Sequence, residues 1–202
     1  LYVENSAPSV IDLLRQGARQ LRWRDGRRYR SNAMPAPLRP WLFAEGSLTQ
    51  RLLDLSAGDF RVQVLAQRWQ RPQLHEARLL DLDPAALTLV REVILFGRGQ
   101  PWVYARSILP ESTLTGDLRR LRKLQNSSLG ALLFTFAQLR RQPFELAYCA
   151  TASQYDNSGL WGRRSRFEVD ARALIVSEFF LPAFLAQLPH ARNVDAAANR
   201  AQ

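Results

Sequence analysis

The chain has 202 residues, 47% of them hydrophobic and 23% charged, enough for one domain with a sizeable core. Its single cysteine, Cys149, excludes an internal disulfide, and with only His75 and His190 beside it a Cys/His metal cluster is excluded as well. The formal charge of +10 would suit a phosphate backbone, but the arginines are dispersed and Lys123 is the only lysine, so the field suits a small polyanion equally well.

No run approaches the roughly 20 apolar residues of a membrane span, and the N-terminus lacks the basic-then-apolar order of a signal peptide, so a cytoplasmic protein without stable membrane insertion is expected. Residues 1–33 read as an N-terminal arm, flexible or helical, with a weak helical pattern over 10–21. The compact part is expected to start near Pro35 and to form one domain over 34–190, followed by a tail over 191–202. Within the arm, Arg22, Arg24, Arg27, Arg28 and Arg30 interleave with Trp23 and Tyr29, a pattern that stacking on single strands would use. The commoner reading of such a run is a solvated basic face near a loose terminus, and nucleic acid is not the expected partner.

Two short helices are predicted over 40–43 and 48–55, the second with Ser47 as N-cap and Gly58 closing it. From Phe60 the period changes to two, as in a half-buried strand. Strands over 87–96 and 102–109 flank Gly97, Arg98, Gly99 and Gln100, a hairpin signal. A short basic helix over 117–124, an apolar helix over 129–139, a strand over 144–151 and a polar loop over 154–159 follow. Strands over 160–167 and 173–181 then pair across Val169, Asp170 and Ala171. Hairpins outnumber strand–helix–strand units, which predicts an α+β domain with helices packed on an antiparallel sheet.

Two strands bury a charge. Alternation puts Glu178 on one face with Leu174, Val176 and Phe180, and puts Arg91 with Leu89, Val93 and Leu95 while Glu92 points the other way. A carboxylate in such company must be paired, hydrogen-bonded or protonated, and a guanidinium, which keeps its proton, needs an anion. Arg91 either makes a structural ion pair with an acid on a neighbouring strand, Glu178 included, or waits for a ligand carboxylate. In the second case the two charges line the ends of one small cavity. Arg163, Arg164 and Arg166 read as a solvated strand edge protected from pairing by charge. Cys149 reads as a small core residue, and Trp161 draws notice because Gly162 after it lets the backbone pass close to something.

Leu160, Trp161, Gly162, Arg163, Arg164, Ser165 and Arg166, followed by Glu178, Phe179, Phe180, Leu181 and Pro182, resemble the C-terminal signature of the chorismate pyruvate-lyases, which make 4-hydroxybenzoate for ubiquinone synthesis. Three further stretches are similar in the same order: Glu45 to Thr49; Arg91 to Leu95 with Gln100, Pro101, Trp102, Ala105 and Arg106; and Ser128, Leu129 and Gly130 with Leu133 and Phe134. The resemblance implies a single α+β domain whose helical flaps close over a buried site. It also implies elimination of pyruvate from chorismate without metal or redox cofactor, and slow product release with product inhibition. A monomer is expected. By position, the family's carboxylate-gripping arginine matches Arg91, the acid at the far end of its cavity matches Glu178, and a leucine before glycine matches Leu129. The fourth position, usually methionine and valued chiefly for its backbone N–H, is Leu48. Catalysis is therefore expected from Glu178 and Arg91, and substrate binding from Leu48, Arg91, Leu129 and Glu178. The rival reading is a non-catalytic sensor of small aromatic acids, since effector domains of some transcription regulators share this fold. Such a protein carries a winged helix-turn-helix upstream, for which about 33 residues are too few.

Overall fold

The computed structural model describes residues 10–17, 21–30, 33–149 and 159–189. Its strands are β1 (Arg24–Asp25), β2 (Phe60–Gln70), β3 (Thr88–Gly97), β4 (Gln100–Pro110), β5 (Arg140–Arg141), β6 (Glu145–Cys149), β7 (Leu160–Val169) and β8 (Arg172–Phe180). They form one sheet in the order β1-β6-β7-β8-β4-β3-β2, with β5 alongside β7, and every pairing is antiparallel. The helices are α1 (Val10–Gly17), α2 (Arg39–Leu42), α3 (Leu48–Ser56), α4 (Leu74–Leu80), α5 (Leu129–Leu133) and α6 (Pro182–Leu185). This is the α+β arrangement that the hairpin signals predict.

The two central hairpins close on residues in the left-handed region: Arg98 and Gly99 (φ 50° and 71°) between β3 and β4, and Asp170 and Ala171 (φ 49° and 61°) between β7 and β8. Two successive positive-φ residues match the twist of the flanking strands, so the turns set the register. That register carries Leu89, Val93 and Leu95 to one face with Val103, Leu109, Leu174, Val176 and Phe180, where α2, α3, α5 and α6 cover them. We call this the front. Val90, Ile94, Tyr104, Ile108, Ile175 and Phe179 form the back, against α1, α4 and the segment around Trp23.

Several expectations change. The packed part begins upstream of Pro35: Leu14 is buried, β1 pairs with β6, and Trp23 meets Phe179 edge-on at 5.6 Å between ring centroids. Tyr29 packs on Trp161 in the same manner at 5.3 Å, so neither aromatic of the arginine-rich stretch forms an exposed stacking platform. The helix α4 falls where no element is predicted, its start held by the Glu76 carboxylate, which accepts the Gln73 N–H at 2.8 Å. The apolar stretch after Ser128 stays helical only to Leu133, and the basic segment Gly116–Lys123 is a 3₁₀ rather than an α-helix. The predicted loop over 154–159 lies, except for Gly159, outside the described residues, as does His190.

The arginines of β7 are corrected outright. β7 is an interior strand with β6 and β5 on one side and β8 on the other, and Arg163 and Arg164 are buried. An interior position leaves no unpaired edge to protect, so these charges have partners: Arg164 donates to Glu145 at 2.7 Å on the back, and Arg166 to Glu168 and Asp81 at 2.9 and 2.6 Å. Gly162 is also explained, since a Cβ there would lie 2.4 Å from the Phe179 ring. What passes close is a neighbouring side chain, while Trp161 belongs to the core. Because Phe179 is itself wedged between Trp23 and Tyr104, Gly162→Ala should destabilise the fold by about 1–3 kcal/mol, measurable as a lower urea midpoint at unchanged slope.

Candidate active site

Arg91 sits in the middle of β3, and Glu178 near the end of β8, with β4 between them. Arg91 faces Ser107 across one strand boundary, and Glu178 faces Ala105 across the next. Two strand spacings and a two-residue offset place the two Cα atoms about 12 Å apart on the same face. The floor between them is made by Ala105 and Ser107, whose small side chains leave a hollow where larger ones would fill the core. Leu48 and Thr49 of α3 and Leu129, Gly130 and Leu133 of α5 roof it. All four residues expected to form the site therefore line one cavity, its free volume about 30 Å³.

Each roof helix begins over the hollow. Ser47 caps α3 by accepting the Gln50 N–H at 3.3 Å, and Ser128 caps α5 by accepting the Ala131 N–H at 3.3 Å. The amides of Leu48 and Leu129, the first residues of their helices, are among those no intrahelical bond reaches. Thr49 and Ser128 join hydroxyl to hydroxyl at 2.5 Å, so the two roof elements are latched to each other.

Arg91 is 1% exposed and has no acid partner among the described residues. Its Nη2 donates to the carbonyl oxygens of Gln125 and Ser127 at 2.6 and 3.1 Å, and its buried Nε has no acceptor among the described residues. Burial pulls its pKa below the ordinary guanidinium value, the sign of a cation without a compensating anion. Gln125, which offers one of those carbonyls, has φ 46°, a backbone cost accepted at this spot.

The proposed neutralisation of Arg91 by Glu178 does not occur. Glu178 accepts from Arg163 Nε at 2.7 Å, its cross-strand neighbour on β7. Arg163 Nη1 donates to the carbonyls of Trp41 and Ala44 at 2.7 and 3.1 Å, while its Nη2 is buried without a partner. Arg141 lines the same cavity. Sequence reasoning placed Arg163 on a solvated edge and passed over Arg141. The alternation of Arg163 with Trp161, Ser165 and Phe167 would have put the first on the front face, but Arg141 lies on a two-residue strand with no period to read.

A larger cavity, about 850 Å³, lies on the back and includes Arg15, Trp23, His75, Glu76, Glu92, Tyr104 and Arg106. Its buried charges neutralise one another. Arg106 donates to Glu76 at 2.8 Å and to Glu92 at 2.9 Å, Arg15 donates to Glu92 at 2.8 Å, and the Tyr104 hydroxyl donates to Glu92 at 3.0 Å. The front cavity, by contrast, holds three guanidinium groups and one carboxylate. That imbalance makes the smaller cavity the candidate site. Among the described residues no cluster of His, Cys, Asp or Glu could hold a metal ion, and burial raises the Cys149 thiol above its ordinary pKa.

The chorismate lyase family profile matches residues 20–188. Relatives named probable chorismate pyruvate-lyase include one from Pseudomonas aeruginosa, 44% identical over 71% of this chain and 82% of its own length. One from Methylococcus capsulatus is 43% identical over 72% and 94%, and one from Marinobacter nauticus 41% identical over 72% and 77%. Among solved structures, a transcriptional regulator of the GntR family from Bacillus cereus is similar at a TM-score of 0.45 and 9% identity, covering 62% of this chain and 93% of its own.

The back network yields a pH prediction. Burial pushes the Glu92 carboxyl up, but hydrogen bonding and charge from Arg15 and the charge of Arg106 outweigh it and leave the group below its ordinary value. A depressed folded pKa adds stability above the unfolded value, about 4.3, that is lost as pH falls toward the folded one. Urea unfolding from pH 7 to 3 should therefore show stability dropping below about pH 4.3, with a shallower drop in Glu92→Gln.

Proposed function

The chain belongs to the chorismate lyase family, and from that premise we propose that it is a chorismate pyruvate-lyase, converting chorismate to 4-hydroxybenzoate and pyruvate in the step that supplies ubiquinone biosynthesis. The observation that carries the reading is Arg91, a buried guanidinium without an acid, facing a carboxylate across a hollow floored by small residues. A para-substituted ring with a carboxylate at one end and a hydroxyl at the other fits that span. Arg91 binds the ring carboxylate through its unused donors, and Glu178, with Arg163 behind it, receives the C4 hydroxyl region. The first-turn amides of Leu48 and Leu129 add donors from the roof.

The reaction breaks the C3–O ether bond and the C4–H bond and gains ring aromaticity, so it is downhill and asks the protein chiefly for geometry and exclusion of water. Glu178 orients the C4 centre or takes its proton. The free volume of about 30 Å³ is room for a water or two and not for a ring, so α3 and α5 part to load substrate. Closure over a product that keeps the same carboxylate and hydroxyl makes product release slow and product inhibition expected. Among the described residues no helix is long and apolar enough to cross a membrane, and the cytoplasm, where a dianion is retained, is the compartment that fits. Relatives at 41–44% identity named as lyases favour the enzyme over a non-catalytic sensor.

Mixing the protein with chorismate should produce 4-hydroxybenzoate and pyruvate in equal amounts; tight 4-hydroxybenzoate binding without turnover would instead establish a sensor. Arg91→Ala should raise KM for chorismate on the order of 10²-fold, the consequence of stranding a desolvated carboxylate, and an unchanged KM would remove its anchoring role. Glu178→Gln should lower kcat on the order of 10²-fold or more if the carboxylate moves the proton, whereas full activity would leave it an orienting part.

A further inference from the structure

The front cavity has cations left over after one ring is held at its two ends. Arg141, on β5, is clamped between the rings of Phe144 and Phe167, its guanidinium carbon 3.9 and 5.0 Å from their centroids. Its Nε donates to Ser165 Oγ at 3.1 Å, and its Nη1 to the carbonyl of Glu45 at 2.7 Å. Its Nη2 has no partner among the described residues, and it forms no ion pair with any of them. Beside it stands Arg163, 1% exposed, whose Nη2 is a buried donor with no acceptor among the described residues. Burial, and after it the like charge of Arg163, pull Arg141 down to about 10. With Glu178 already engaged by Arg163, three guanidiniums and one carboxylate leave two positive charges uncompensated around one hollow.

Resting on the chorismate reading above, that surplus matches the substrate charge for charge. Chorismate is a dianion: one carboxylate on the ring and one on the enolpyruvyl ether at C3. The ether stands next to C4 and therefore at the Glu178 end, where Arg141 and Arg163 lie. We propose that Arg141, assisted by the free Nη2 of Arg163, binds the enolpyruvyl carboxylate, so that the leaving group has its own anchor. In the elimination the C4–H pair becomes a ring double bond and the C3–O pair departs with enolpyruvate. A proton equal to the one removed from C4 is taken up at the methylene carbon, giving pyruvate. Negative charge grows on the departing oxygen beside this guanidinium pair, which favours the transition state over bound substrate.

The test uses a difference between substrate and product: 4-hydroxybenzoate lacks the enolpyruvyl group and, with it, the second carboxylate. In Arg141→Gln, kcat/KM for chorismate should fall on the order of 10²-fold, while the 4-hydroxybenzoate Kd by titration calorimetry stays within about twofold. Arg141→Lys, which keeps the charge and stem but not the fork, should lose at least about tenfold in kcat/KM with product affinity again unchanged, and serves if the glutamine variant does not fold. A kcat/KM within about threefold of the parent in both variants overturns the proposal. So does an equal loss of chorismate and 4-hydroxybenzoate affinity, which would make Arg141 a support for the turn at Glu45. Arg91→Ala separates this from the underlying reading: it should weaken both ligands, and intact 4-hydroxybenzoate binding there would overturn the ring-anchoring site whatever Arg141 does.

Discussion

A guanidinium buried at the centre of β3, with no acid partner among the described residues, is the constraint around which the rest of the fold is arranged. Arg91 and Glu92 are neighbours on one strand and project to opposite faces, and each face deals with its charge differently. Behind the sheet, Glu92 meets Arg106 and Arg15, with Glu76 completing the set, so that every buried charge has a permanent opposite. In front, among the described residues, Arg91 meets only carbonyl dipoles, all through Nη2, and its buried Nε has no acceptor. Leaving a buried cation so poorly compensated costs stability that the protein could recover with one well-placed acid. A nearby acid does exist in Glu178, yet Arg163 occupies it. A direct Arg91–Glu178 pair would only transfer the deficit to the buried Arg163, so two surplus cations line the hollow whichever of them holds the acid.

The surrounding fold serves that arrangement. The β4 strand passes under the hollow with Ala105 and Ser107, and the bulky Val103 and Leu109 flank them on the same face. The roof is light: α3 has nine residues and α5 five, and the contact between Thr49 and Ser128 ties them. These elements are short, and parting them breaks the hydroxyl pair and exposes part of the buried Leu48, Leu52, Leu129 and Leu133, the local opening that a site too narrow for a ring requires. Arg141 and Arg163 both donate to carbonyls between Trp41 and Glu45, so the cations at the Glu178 end are fastened to the chain leading into the first roof helix.

Alternation along β3 and β8 was enough to place Arg91 and Glu178 on their correct faces, and collinear motifs were enough to put Leu48 and Leu129 with them. What could not be read was strand order. The sequence pattern marks β7 as charged, and an edge is the usual home of charge, but only the pairing of β6 with its far side shows it to be interior. The partner of Glu178 was hidden for the same reason, since cross-strand neighbours follow from registry and not from spacing. The α4 helix is hard to read because its seven residues span only two turns, too few to establish a period, and its buried set mixes Glu76 with Ala77 and Leu80 while Leu74 is exposed. The N-terminal stretch was misjudged because its aromatics are separated by arginines, and composition alone does not reveal that Trp23 and Tyr29 turn inward while Arg24, Arg27 and Arg28 stay outside.

The charge count bears on the order of events in the proposed reaction. A dianion entering a hollow with two surplus positive charges neutralises it, and elimination divides that charge between two monoanions without changing the total. In the proposed binding mode 4-hydroxybenzoate would keep its contacts with Arg91 and Glu178. Pyruvate keeps only the contacts proposed for Arg141 and Arg163, at the side where the chain runs through Glu45 toward α3. On the proposed binding mode pyruvate, small and held at one end, would depart first. The ring product then sits in a hollow with one positive charge restored, gripped at both ends under a closed roof. Slow release would follow from the same buried guanidinium that makes binding possible.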